Sequence, residues 1–190
     1  MDSICEKDRK DFVPAPENVK EVIIGETPPV FPEKYFYSSY RLEKPSKGHN
    51  FSNSIFQHYR ERYPKLIQKP ETGELYRKNL ELLGTNGVII FDICDKYVDV
   101  SGKIKKRDPP QYRKNLEEVR TEIQNLREKI RGEGISFDKI EKIKFAMPKN
   151  AYGSQIREQF RQELDSGKVE YYDSWKNFGK HEQKRWKSQK

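Results

Sequence analysis

Two acidic residues in unusual settings carry the chemistry that this sequence offers. Glu26 stands in Gly25-Glu26-Thr27-Pro28-Pro29, directly after the β-branched run Val22-Ile23-Ile24. Asp92 interrupts the apolar run Val88-Ile89-Ile90-Phe91-Asp92-Ile93-Cys94. Glycine lets a backbone or ligand approach closely, and the prolines stiffen a turn that holds a carboxylate. An acid among Ile and Phe is costly if it stays charged and unpaired, so Asp92 must find a partner or emerge into a cleft. If the two strands are sheet neighbours, Glu26 and Asp92 flank one pocket. Two carboxylates there would push their pKa values apart, which suits acid/base work. The run Tyr35-Phe36-Tyr37 lies a few residues beyond the turn and offers a flat wall for a heterocycle.

Each feature also has a purely structural reading. The turn can simply end a strand, Asp92 can cap a loop or pair with a lysine, and the aromatic run can fill a core. Lys176, Lys180 and the rest of the basic C-terminal stretch can track phosphates or form a solvated helix end.

The elements that must position these residues follow from the hydrophobic pattern. Val22 to Ile24 reads as a buried strand, and 88–94 as the strongest strand of the chain. The irregular, aromatic stretch from Thr27 to Asn50 reads as a long ordered loop. Helices are predicted over 53–63 and over 75–83, with Gly84 as the C-cap of the second. A charged loop follows over 95–110. The apolar positions Leu116, Val119, Ile123, Leu126 and Ile130 then step by three and four along one helix face. Strands over 142–147 and 168–172 flank a helix over about 154–164. This order predicts an α/β protein, a three-layer αβα sandwich around a central four-stranded parallel sheet. Residues 1–19 read as an N-terminal tail and 20–190 as a single domain.

Composition narrows the partners. Although only 33% of the 190 residues are hydrophobic, 10 Phe and 11 Tyr supply bulk for a modest core. A charge of +8, from 38 basic and 30 acidic side chains, favours a polyanion, nucleic acid first. No apolar run reaches the roughly 20 residues that span a bilayer, and the charged start lacks a secretory core, so a cytoplasmic protein without membrane attachment is expected. Cys5 and Cys94 suggest no disulfide framework, and His49, His58 and His181 show no ligand spacing, so neither metal nor other cofactor is expected.

The order of strand, Gly25-Glu26-Thr27-Pro28-Pro29 turn and Tyr-Phe-Tyr run resembles the first motif of the uracil-DNA glycosylase superfamily, in particular its glycosylase-like bacterial members. The resemblance implies that Glu26 directs the water that attacks the sugar C1′, and that the pocket holds a flipped base. It gives Phe36 the base-stacking position, with Tyr37 the neighbouring candidate, and places Gly25, Thr27 and Pro28 against the substrate. Asp92 stands where the family often has an Asn that reads the base edge. A carboxylate only accepts hydrogen bonds while an amide also donates, so the base read here need not be uracil. The family's last motif, commonly His-Pro-Ser, has no clear counterpart, because Asp173-Ser174-Trp175 occupies the expected stretch.

Three functions are therefore expected in order. The first is a DNA glycosylase acting on a deaminated or modified base, as a monomer, with Glu26 and Asp92 catalytic. The second is a nucleic-acid-binding module that keeps the fold without the chemistry. The third is a metal-dependent phosphoester hydrolase built on Glu26, Asp92 and Asp95.

Overall fold

The computed structural model describes residues 11–27, 35–37, 42, 50–95, 97–98, 109–147 and 149–172. Strand β1 (Glu21–Gly25) leads through α1 (Asn50–Arg60) and α2 (Gly73–Thr85) to β2 (Val88–Asp92). The long α3 (Pro109–Gly132) follows, then β3 (Lys142–Ala146), α4 (Lys149–Gln159), the short α5 (Arg161–Asp165) and β4 (Val169–Tyr172). All three strand pairings are parallel, and the sheet order is β2-β1-β3-β4. The chain is thus an α/β protein with a four-stranded parallel sheet.

Side chains alternate across the sheet, so each apolar strand feeds two cores. Val22, Ile24, Phe91 and Phe145 pack on one side with Val119, Ile123, Leu126 and Ile130 of α3 and with Tyr152 and Ile156 of α4. Ile23, Val88, Ile90 and Tyr172 pack on the other with Ile55, Phe56 and Tyr59 of α1 and with Tyr76, Leu80 and Leu83 of α2. The three-and-four spacing along α3 is thereby explained, since those side chains form its sheet-facing stripe.

Several boundaries differ from the sequence expectation. Helix α2 does not stop at Gly84. It begins at Gly73, capped by Thr72, whose Oγ1 accepts the Leu75 N–H at 3.3 Å, and runs on to Thr85. Gly84 serves instead as a contact point: a Cβ there would lie 2.3 Å from the Phe12 carbonyl oxygen. The left-handed residue past the helix end is Gly87, at φ 77°. Phe12 and Val19 are buried and Pro16–Asn18 forms a 3-10 turn, so the stretch expected as a tail is integrated into the fold from Phe12 onward. Its first ten residues lie outside the described ones. The helix expected over 154–164 is two helices that start at Lys149 and break at the buried Phe160.

The α1-facing side of the sheet holds a buried charge pair. The Lys144 ammonium of β3 donates to Glu21 Oε2 of β1 at 2.6 Å, and both side chains are almost fully buried. Tyr59 of α1 donates to the same oxygen at 2.6 Å, while Arg62 binds the other carboxylate oxygen. Lys144 also lies 3.3 Å from His58 Nε2 and 4.5 Å from the centre of the Tyr59 ring. Burial alone would raise the Glu21 pKa, but the Lys144 charge and the hydrogen bonds from Lys144 and Tyr59 outweigh it and hold it below the usual glutamate range.

Two outcomes follow for stability. Lys144→Met removes the main counter-ion and should cost roughly 3 kcal/mol in urea unfolding, near the low end for a broken buried pair because Arg62 remains. The double variant Glu21→Gln/Lys144→Met should recover most of that loss. Because the folded pKa of Glu21 is lowered, the pair's contribution is complete above the ordinary glutamate value and is lost as pH falls through the folded one. Glu21→Gln should therefore flatten the acid side of the stability profile.

Candidate functional site

In a parallel sheet, loops and helix ends converge at the carboxyl ends of the strands, and the crevice opens where the chain leaves neighbouring strands in opposite directions. Here that place lies between β1 and β3. The chain leaves β1 toward β2 through α1 and α2, and leaves β3 toward β4 through α4 and α5 on the other face. Glu26 and Thr27 follow β1 at this point. Their main chain is held by continued strand pairing, for the Ile93 N–H donates to the Gly25 carbonyl at 3.0 Å and the Cys94 N–H to the Glu26 carbonyl at 3.2 Å. The Thr27 hydroxyl donates to the Val98 carbonyl at 3.4 Å, tying the turn to the segment after β2.

The Glu26 side chain is largely enclosed. Burial raises its pKa and outweighs the opposing influence of the nearby Tyr152 of α4. Asp92 ends β2 and sits in register with Gly25. Its Oδ1 lies 2.7 Å from the position of a Cβ at 25, so any side chain there would have to displace the Asp92 carboxylate. Asp92 is half-buried rather than sealed into the strand.

The expected pairing of the two acids does not hold. Asp92 alternates with Val88 and Ile90 and so faces the α1 and α2 layer, whereas Glu26 reaches Tyr152 in the opposite layer. The two carboxylates share one edge of the sheet but point to different sides of it. Accordingly Asp92 is not among the groups that shift Glu26, and the physical reason is the two-residue period of the strand. The metal reading fails on the same geometry. Asp95 pairs with Lys129, and among the described residues no three His, Cys, Asp or Glu side chains gather as ligands. Lys129 further donates to the Ile93 carbonyl at 3.0 Å, closing the end of β2.

The aromatic run is deep in the structure. Phe36, only 2% exposed, meets Tyr37, Phe51, Phe56 and Tyr76 edge-on or tilted, and its carbonyl accepts the Tyr76 hydroxyl at 2.7 Å. The Tyr37 hydroxyl accepts the Ile90 N–H at 3.1 Å. These rings join the α1 and α2 layer to β2. Pro28, Lys176 and Lys180 lie outside the described residues.

Cys94 is buried beside the turn, and burial, with the Glu122 and Glu118 charges, pushes its thiol up to about 12, which makes it unreactive as a nucleophile. Two clefts, of about 520 and 540 Å³, open at the other end of the sheet, where residues preceding the strands line them. In the second, Arg127 is already bound to the buried Glu163 at 2.8 Å.

Sequence reasoning missed Tyr152 and Lys144. Tyr152 shares a four-residue step with Ile156 and Phe160, a pattern that marks a buried helix face. Lys144 lies between Ile143 and Phe145 in a strand read only by its apolar neighbours, and nothing in that run pointed to its charge partner.

No helix among the described residues is long and apolar enough to cross a membrane. Comparison with protein-family models, curated proteins and solved structures returns no match for this chain.

The contact between Gly25 and Asp92 can be measured by a double-mutant cycle. Gly25→Ala should cost about 1 kcal/mol when Asp92 is present and much less in an Asp92→Ala background. Equal costs in the two backgrounds would mean that the carboxylate is not what requires glycine.

Proposed function

We propose that this chain is a DNA glycosylase-type protein that hydrolyses the N-glycosidic bond of a deaminated or modified, uracil-type base flipped from DNA. Glu26 directs the attacking water. The observation that carries the reading is Glu26 itself, an enclosed carboxylate of raised pKa just after the carboxyl end of β1, where the strand order switches between β1 and β3. A carboxylate made more basic by burial is a better acceptor for a water proton, and once charged it stabilises oxocarbenium character on the sugar. The excess of basic side chains favours a polyanionic strand as the carrier of that base. Asp92, directed to the other layer, acts in this reading as an acceptor for the base edge and not as the second half of an acid pair.

A second reading, nucleic-acid binding without hydrolysis, is favoured by one observation. The faces of Phe36 and Tyr37 are spent on the core, so a stacking platform has to come from elsewhere in the chain.

Abasic-site formation on oligonucleotides carrying uracil or hypoxanthine separates the two. The protein should form abasic sites without added divalent metal, and Glu26→Gln should lower the rate at least about 100-fold while binding persists. Binding with no abasic product from the unaltered protein would leave the second reading standing. Glu26→Gln also tests the electrostatics. Since the folded state favours the neutral acid, ionising Glu26 costs stability as pH rises through its folded pKa. The variant should melt roughly 2–4 °C higher than the unaltered protein at neutral pH, with the gap closing in acid.

A further inference from the structure

We propose that Tyr37 and Lys129 close the outer edge of β2, so that the most apolar strand of the chain cannot pair with the same strand of a second copy.

Strand β2 is outermost in the sheet, with β1 on its inner side. The Glu21 N–H donates to the Gly87 carbonyl at 3.0 Å and the Ile93 N–H to the Gly25 carbonyl at 3.0 Å, so the odd-numbered positions from 87 to 93 turn their peptide groups toward β1. Val88, Ile90 and Asp92 therefore turn theirs outward. Side chains from both layers meet two of these outward positions. The Ile90 N–H donates to the Tyr37 hydroxyl at 3.1 Å, and the Asp92 carbonyl accepts the Lys129 ammonium at 3.3 Å. Tyr37 is buried among side chains of α1 and α2, its ring edge-on to Phe36 at 5.1 Å. Lys129 reaches in from α3 and is kept at this corner by the Ile93 carbonyl and by Asp95.

The strand's own composition makes the closure necessary. An outermost strand presents a row of unpaired peptide groups, and a β-branched and aromatic run without charge or proline is the kind that pairs with itself. Val88-Ile89-Ile90-Phe91 has that composition and meets its first charge at Asp92, whereas β4 at the other edge carries Glu170. Two copies of β2 placed antiparallel about Ile90 would set Ile90 opposite Ile90 and Val88 opposite Asp92. That pairing needs the Ile90 N–H and the Asp92 carbonyl, the two groups that Tyr37 and Lys129 engage.

Tyr37→Phe keeps the ring and removes the hydroxyl, and Lys129→Met keeps the stem and removes the ammonium. Sedimentation velocity should show the double variant, its circular dichroism unchanged, forming dimers with an association constant at least about tenfold above that of the unaltered chain. In a mixture of isotope-labelled and unlabelled double variant, NMR should show intermolecular contacts between the two β2 strands. Where the double variant folds poorly, Lys129→Met alone carries both measurements, since it leaves the buried tyrosine in place. A natively folded variant that stays monomeric overturns the proposal, and so do dimers joined through any other surface or an unaltered chain that already pairs through β2.

Discussion

Strand β1 is hydrogen-bonded along both edges and covered on both faces, and this double enclosure governs what the rest of the molecule can do. Every polar group on such a strand must be matched by a partner that the fold brings to it. At the amino end, Glu21 is matched by Lys144 of a neighbouring strand and by Tyr59 and Arg62 from α1 and the turn after it. At the carboxyl end, Gly25 yields its side-chain volume to Asp92, and Glu26 is largely enclosed near Tyr152. The helices are thus positioned by apolar burial and also by the need of one strand for polar partners.

The two acids that draw the eye in the sequence are separated by the strand's own geometry. Gly25 and Asp92 are neighbours in register, so proximity along the edge was a sound expectation. Direction was not, because adjacent residues of one strand project to opposite faces, and Glu26 is one residue beyond the position that matches Asp92. What results is two local environments. One is an enclosed carboxyl on the side of α3 and α4, and the other is a half-buried carboxyl beside Gly25.

Hydrophobic periodicity made the sheet legible. Continuous apolar runs gave β1 and β2, and the stripe from Val119 to Ile130 gave α3, because burial on one or both faces leaves a period that sequence displays directly. Terms set by tertiary approach were not visible. Gly84 looked like a helix stop, yet its absent side chain accommodates the Phe12 carbonyl. Lys144 gave no sign of its pairing, since nothing in its neighbours announces Glu21, a partner more than a hundred residues away. Glu26 could be read from its turn, but Tyr152 could not be assigned to it, because a helix face identifies what is buried and not which strand end it meets. Phe36 and Tyr37 were legible as aromatic bulk; their place in the core was decided by α1 and α2 closing over them.

Glu21 and Glu26 sit on the same rigid strand with acidities displaced in opposite directions, the first bound by cations and the second isolated by burial. On acidification Glu26 takes up its proton first, while the anchor at the other end is still ionised. Mild acid should therefore neutralise Glu26 while the Glu21 anchor still holds, and return to neutral pH should reverse the change without refolding. The strand in effect spreads the titration of its two acids along the pH scale, the anchor being the last to yield.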